Sequence, residues 1–147
     1  MTPETEQQLI ALATQARMRA YVPYSHFAVG AAILTADGQM HVGCNVENAS
    51  YGLTCCAERN AIFGMIGKSA DADARHIATV VVVTAGNDPA TPCGACRRVI
   101  REFGSDATVI IANTEGRITL RTTLQELLPY SFGPEQLESS NDNTGGD

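Results

Sequence analysis

The chain has no excess of positive charge and no long apolar run. The first absence argues against a nucleic-acid partner, and the second argues against a membrane. Its 147 residues include 10 Lys and Arg against 16 Asp and Glu, for a formal net charge of −6. Proteins that bind polynucleotides broadly present a basic patch or stripe, so we expect no nucleic-acid partner. No apolar segment approaches the roughly 20 residues needed to cross a bilayer, so we expect no membrane partner either.

The cysteine count and the start of the chain favour a reducing compartment. Five cysteines are an odd number for a disulfide framework, and the chain does not open with a basic and apolar signal region. These features predict a cytoplasmic protein. The length suits one domain, over residues 1–137, with a core large enough to fold without disulfides. Residues 138–147 contain almost nothing apolar and predict a disordered tail.

Strand and helix patterns alternate along the chain. Val80-Val81-Val82-Val83 is typical of a central strand buried on both faces, and Asp37-Gly38 supplies the chemistry of a hairpin turn. The alternation predicts an α/β domain with a sheet between helices. The predicted helices cover residues 3–20, 55–67 and 93–103, with a helical turn at 124–128, and the predicted strands cover 28–34, 40–47, 76–84, 108–113 and 117–121.

Two short segments at predicted helix starts combine into a candidate metal site. Cys56 opens one helix, and Cys93 and Cys96 open another behind Pro92. A catalytic zinc keeps three protein ligands and leaves its fourth position to water, whereas a structural zinc site closes with four. The chain offers three thiolates and no obvious fourth ligand. The free N–H groups and the positive dipole end of a helix N-terminus favour the thiolates that zinc requires.

Glu58 is the candidate proton carrier. Residues two apart in a helix interior do not face each other, so we expect Cys56 at the helix cap and Glu58 reaching in from the first turn. Zinc lowers the pKa of a bound water to about 7, and a nearby carboxylate can pass protons to a substrate nitrogen that leaves as ammonia. Three thiolates outweigh the charge of zinc, and we expect the helix dipoles and hydrogen bonds from Arg59 or Arg97 to offset them.

The two cysteine segments resemble a known family. Cys56-Ala57-Glu58-Arg59 and Pro92-Cys93-Gly94-Ala95-Cys96-Arg97 are similar to the zinc motifs of the cytidine deaminases, specifically the small homotetrameric type with three cysteine ligands. The resemblance implies a three-layer α/β/α cytidine deaminase-like fold with a mixed five-stranded sheet between helices. It also selects Cys56 rather than the neighbouring Cys55 as the ligand. Further matching segments are Tyr24-Ser25-His26-Phe27, Gly43-Cys44-Asn45-Val46-Glu47-Asn48-Ala49 and Ser131-Phe132-Gly133-Pro134.

The resemblance implies a reaction and its cofactor. Cys56, Cys93 and Cys96 would hold Zn²⁺. Glu58 would carry protons in the hydrolytic deamination of cytidine and 2′-deoxycytidine to uridine and 2′-deoxyuridine, a chemistry known for zinc deaminases and used in pyrimidine salvage.

The resemblance also implies a substrate-binding set and an assembly. Asn45 and Glu47 would bind the ribose 3′-hydroxyl, and Phe27 would stack on the pyrimidine. Strand alternation over residues 40–47 would place Asn45 and Glu47 on one face. The family forms a homotetramer whose active sites are shared between subunits. The implied substrate-binding residues are Phe27, Asn45, Val46, Glu47, Asn48, Ala49, Ser50, Tyr51 and Phe132.

Other interpretations of these residues stay open from the sequence. The three thiols also suit a structural zinc site in a non-enzymatic protein. An enzyme of the same fold can act on another aminopyrimidine, such as the nucleoside antibiotic blasticidin S. Phe27 can be a plain core residue, and Asn45 and Glu47 can be ordinary polar residues at a strand end.

Charge patterning bears on the choice of substrate. A carboxylate at Glu47 suits a ribose hydroxyl and would repel a phosphate, so a free nucleoside is favoured over a nucleotide.

Arg97, Arg98 and Arg101 form the only dense basic group in the sequence. We expect these arginines to be a solvated helix face that includes one buried partner for the metal site.

Overall fold

Helices and strands alternate in the computed structural model, which describes residues 1–139. The helices are α1 (Pro3–Arg17), α2 (Ala57–Lys68), α3 (Gly94–Phe103), α4 (Leu124–Leu127) and α5 (Pro134–Ser139), with 3₁₀ turns at Tyr51–Leu53 and Asp73–Arg75. The strands are β1 (Gly30–Thr35), β2 (Met40–Cys44), β3 (Ile77–Thr84), β4 (Thr108–Asn113) and β5 (Ile118–Thr123). The sheet order is β2-β1-β3-β4-β5, with β3 and β4 parallel and the other neighbours antiparallel. The predicted mixed five-stranded sheet is confirmed.

The central strand β3 is buried on both faces, as its valine run predicts. Val80 and Val82 lie in the core cluster that α2 and α3 cover. Val81 and Val83 lie in a second cluster on the opposite face, together with Leu9 of α1. Because strand side chains alternate with period two, one continuous apolar strand serves both cores. The three-layer α/β/α architecture is confirmed.

Strand β2 is shorter than the sequence pattern predicts. It ends at Cys44, and the main chain beyond it pairs with two other segments. The Val46 N–H donates to the Cys55 carbonyl at 3.0 Å, and the Glu47 N–H donates to the Tyr21 carbonyl at 2.9 Å. This change of partners brings residues 45–47 beside the segment that leads into α2.

The ends of the chain differ from expectation in their details. Helix α1 stops at Arg17 rather than at residue 20. Residues 134–139 form α5, so the tail predicted over 138–147 begins inside the last turn of that helix, and residues 140–147 lie outside the described part of the chain. Among the helices of residues 1–139, none is long and apolar enough to cross a membrane.

Helix α2 packs directly on the backbone of β2 at Gly43. A Cβ atom at this position would lie 2.5 Å from the Ala57 carbonyl oxygen and 2.5 Å from the Ala61 backbone nitrogen. Both atoms belong to the main chain of α2, so neither can move away without shifting the helix. A glycine is therefore needed for α2 to reach its position against the sheet.

The variant Gly43→Ala is expected to unfold at a lower temperature, with a loss of about 1–3 kcal/mol for forcing a methyl group into a filled space. Gly64→Ala is the matched control, because Gly64 lies in α2 and a Cβ atom on it meets open space. That control should gain about 0.5–1 kcal/mol through higher helix propensity. Thermal unfolding of both variants checks the pair, and equal stability of the two would contradict the proposed close contact.

Candidate functional site

Three cysteine sulfurs meet where α2 and α3 begin. The Sγ atoms of Cys56, Cys93 and Cys96 lie within 4.8 Å of one another, and those of Cys56 and Cys93 are 3.7 Å apart. Cys55 is not part of the group, as the motif match predicts. The two segments that the sequence analysis singled out therefore form one cluster in space.

The cluster arises from the way each helix starts. Cys56 is the N-cap residue of α2, Cys93 is the N-cap residue of α3, and Cys96 is buried in the first turn of α3. Neither cap side chain accepts a hydrogen bond from a backbone N–H of its own helix, which leaves both sulfurs available to a common ligand. The positive ends of two helix dipoles converge on the sulfurs and stabilise negative charge there.

Arg59 adds a full positive charge to this environment. Its Nη2 donates to the Cys56 Sγ at 3.5 Å, and this bond raises the pKa of the guanidinium. Hydrogen bonds from Cys96, then from Arg59 and Cys93, lower the pKa of Cys56 to about 5. The hydrogen bond to Cys56 and burial raise the pKa of Cys96. Cys56 therefore ionises before Cys96.

The thiol cluster fits a zinc ion. Tetrahedral zinc with Zn–S bonds of about 2.3 Å separates its sulfur ligands by about 3.8 Å, close to the 3.7 Å between Cys56 and Cys93. A set of three thiolates leaves one tetrahedral position for a non-protein ligand. The donor set and its spacing agree with the zinc site that the sequence predicts.

Glu58 lies beside the cluster and is almost completely buried, with 4% of its surface exposed. It is the second residue of α2, two positions after the N-cap Cys56, and so lies in the first turn as predicted. Burial raises the pKa of this carboxyl, and the negative charge on Cys56 raises it further. The carboxyl can therefore hold and release a proton closer to neutral pH than an exposed glutamate.

Glu58 and two of the thiols line a cavity of about 260 Å³. Phe27, Asn45 and Glu47 also line it, so the structure brings together the predicted base-binding and ribose-binding residues with the metal cluster. The sequence analysis assigns no role in the site to several other lining residues. These are Ser25, Val29, Thr54, Ala90 and Thr91.

Asn45 and Glu47 hold the segment 24–29, which forms one wall of the cavity. The Asn45 Nδ2 donates to the Phe27 carbonyl at 2.8 Å, and its Oδ1 accepts from the Val29 N–H at 2.9 Å. The Glu47 Oε1 accepts from the N–H groups of Tyr24 and Ser25 at 3.0 and 3.1 Å. Both side chains reach the cavity although β2 ends before them.

The other predicted substrate-binding residues are not among those that line this cavity. Val46 forms backbone bridges to Tyr21 and Cys55. The Tyr51 ring is 74% exposed and packs edge-to-face on the Tyr24 ring, with centroids 5.7 Å apart. The remaining members of the set are exposed on the surface of the chain, and they are Asn48, Ala49, Ser50 and Phe132.

Arg97 makes contacts other than those expected. It donates to the carbonyls of Pro92 and Leu127 at 2.6 and 2.8 Å and to the Thr91 hydroxyl at 2.9 Å. No hydrogen bond from Arg97 to a sulfur is among these contacts, and among the arginines of residues 1–139 only Arg59 donates to a cysteine sulfur. Arg97 thus braces the loop that carries Cys93.

The expectation of a solvated basic face agrees with Arg98, which is exposed, but is wrong for Arg101. The Arg98 Nη1 donates to the Phe132 carbonyl, and the Arg101 Nε donates to the Ser131 hydroxyl at 2.9 Å. Arg101 also pairs with Glu135, and its side chain is only 10% exposed. Both arginines fasten the C-terminal segment to α3, Arg98 from an exposed position and Arg101 from a mostly buried one.

An α/β/α domain in which a cluster of three thiols meets a buried carboxyl at one cavity has the composition of a zinc-dependent hydrolase. Residues 3–112 match the family model described as the cytidine and deoxycytidylate deaminase zinc-binding region. The chain belongs to this family.

Individual relatives agree along almost the whole chain. A cytidine deaminase of Halalkalibacterium halodurans is 47% identical over 132 residues, which cover 89% of this chain and 96% of that protein. A cytidine deaminase of Sporosarcina psychrophila is 45% identical and covers 89% of this chain and 93% of that protein. The crystal structure of cytidine deaminase from Burkholderia pseudomallei matches with a TM-score of 0.78 at 44% identity, covering 90% of this chain and 100% of that chain.

The variants Cys93→Ser and Cys96→Ser are each expected to lose most of the bound zinc, because each removes one of three thiolate ligands. Cys44→Ser and Cys55→Ser are the matched controls and should retain about one zinc per chain. Metal analysis of the purified proteins measures this directly. Loss of the ion should also lower the melting temperature, since metal-binding free energy adds to folding free energy. Full zinc content in both ligand variants would refute the assignment.

Proposed function

We propose that the protein catalyses the zinc-dependent hydrolytic deamination of cytidine and 2′-deoxycytidine to uridine and 2′-deoxyuridine, with release of ammonia. The observation that carries the proposal is the buried carboxyl of Glu58 in one cavity with the thiol cluster. The relatives named cytidine deaminase support the same reaction. We place the reaction in pyrimidine salvage in the cytosol.

In this proposal, Glu58 moves the protons of the reaction. Cys56, Cys93 and Cys96 would hold zinc, which would lower the pKa of water and so supply a hydroxide nucleophile near neutral pH. The Glu58 carboxyl donates a proton to N3 of the pyrimidine as the oxygen adds to C4. The same carboxyl then takes the proton of the new C4 hydroxyl and relays it to the amino nitrogen, and the C4–N bond breaks to release ammonia as the carbonyl forms. Its raised pKa suits both transfers.

The segment 24–29 and the residues after β2 would bind the rest of the nucleoside. The Phe27 side chain is 49% exposed on the cavity wall and offers a ring face for the pyrimidine. Asn45 retains one N–H after its bonds to the backbone, and Glu47 retains acceptor capacity for the ribose 3′-hydroxyl. A free nucleoside fits the negative charge of Glu47 better than a nucleotide does.

We further propose that the active chain is a homotetramer with shared active sites. Large apolar side chains are exposed on the surface, including Tyr51, Leu53 and Phe132. Exposed apolar and aromatic side chains of this size are typical of protein interfaces. The predicted substrate-binding residues outside the cavity would then complete the site of a neighbouring subunit.

The variant Glu58→Gln tests the proposed reaction, because it keeps the shape of the side chain but cannot relay protons. Its turnover of cytidine should fall by about 10²- to 10⁴-fold, the usual contribution of a positioned acid–base group. The change in ultraviolet absorbance on conversion to uridine follows the reaction, and zinc content and melting temperature serve as controls. Glu126→Gln, at an exposed glutamate of α4, is the matched control and should retain full turnover.

Retained turnover in Glu58→Gln would refute the role of this carboxyl. A folded, zinc-bound wild type that turns over another aminopyrimidine but not cytidine would refute the proposed substrate.

Sedimentation equilibrium of the wild type tests the assembly. The expected mass is four times that of the 15.6 kDa chain, since four subunits would bury the exposed apolar surface. A monomer with full cytidine turnover would contradict the proposal of shared sites.

A further inference from the structure

The Ser25 hydroxyl lies between two residues that the proposed function assigns to the substrate. Its Oγ donates to the Oε2 of Glu47 and accepts from the Phe27 N–H at 3.0 Å. Ser25 itself lines the cavity together with both of these residues. One hydroxyl therefore links the ribose-binding carboxylate to the backbone of the base-stacking residue.

The hydrogen bonds leave the Glu47 carboxylate with one free acceptor position for a substrate hydroxyl. A carboxylate has about four acceptor positions, two on each oxygen. Oε1 accepts two backbone N–H groups, from Tyr24 and Ser25, and is fully used. Oε2 accepts the Ser25 hydroxyl and has one position left. The position of the Ser25 hydroxyl therefore decides where the remaining acceptor position of Glu47 points.

The same hydroxyl completes the anchoring of Phe27. The N–H of Phe27 is held by the Ser25 Oγ, and its carbonyl is held by the Asn45 Nδ2. His26, between the two, has a φ of 57°, in the left-handed region that side chains other than glycine seldom adopt. The bond from Phe27 to Ser25 spans this turn and stabilises it.

We propose that Ser25 is a positioning residue for nucleoside binding: its hydroxyl holds the Glu47 carboxylate and the Phe27 backbone in the arrangement that receives the ribose and the base. The inference rests on the proposed function, because it concerns the substrate contacts of Glu47 and Phe27. The hydrogen bond from Ser25 is also the main reason why the pKa of Glu47 is lowered, which keeps the carboxylate an acceptor at neutral pH. The titratable groups that face the Glu47 carboxylate are His26, on the segment that carries Ser25, and Glu58 and the thiols of Cys56 and Cys93 across the cavity.

A comparison of two substrates with Ser25→Ala tests the proposal. For cytidine, kcat/KM should fall on the order of tenfold, the usual effect of losing one hydrogen bond to a charged group. The loss should appear in KM more than in kcat, because binding interactions are removed. For 3′-deoxycytidine, which lacks the hydroxyl that Glu47 would bind, the loss should be several-fold smaller. Ser25→Thr keeps the hydroxyl and should restore most of the activity on cytidine.

Two controls separate positioning from general damage. Ser105→Ala removes an exposed serine hydroxyl after α3 and should leave both substrates unaffected. Zinc content and melting temperature of Ser25→Ala should match those of the wild type.

Equal losses with cytidine and 3′-deoxycytidine, or no loss with either, would overturn the role of Ser25 while leaving the deaminase function intact. Absence of cytidine turnover in the wild type would instead refute the proposed function, and this role of Ser25 with it.

Discussion

Three cysteine sulfurs within 4.8 Å of one another can ionise together only where positive charge is supplied to them. The fold supplies it from the N-termini of α2 and α3, from the Arg59 guanidinium and from the metal ion that the thiols fit. The positions of the two helix N-termini and of Arg59 depend on how the helices pack against the sheet. Helix α2 reaches its position because Gly43 lets it rest on the backbone of β2, and α3 begins after the buried strand β3. The core packing is therefore also what holds the metal ligands together.

The same arrangement gives two carboxyl groups opposite environments in one cavity. Glu58 is buried next to the thiols, and burial raises its pKa. Glu47 lies at the exposed side, where hydrogen bonds from Ser25 and Tyr24 lower its pKa. Environments that separate the pKa values of two nearby carboxyls assign different tasks to them. One is suited to carry protons, and the other to accept hydrogen bonds from a sugar.

Features encoded in neighbouring residues could be predicted from the sequence, whereas those set by distant partners could not. The valine run of β3 and the cysteines at the helix caps are local patterns, and both predictions are confirmed. The end of β2 was placed wrongly because Val46 and Glu47 change to backbone partners elsewhere in the chain. The bond from Ser25 to Glu47 spans 22 residues, and the bond from Arg98 to Phe132 spans 34. Nothing in the local sequence around these side chains indicates such contacts. The roles of Tyr51 and Phe132 stay predictions, because neither residue lines the cavity.

The most direct test of the central claim is X-ray absorption at the zinc edge of the purified protein. The account predicts three sulfur neighbours at about 2.3 Å and one oxygen at about 2.0–2.2 Å, which is a zinc ion with one position open to water. Four sulfur neighbours would mean that Cys44 or Cys55 closes the site. That result would contradict a hydrolytic centre and identify the metal as a structural link between two helix starts.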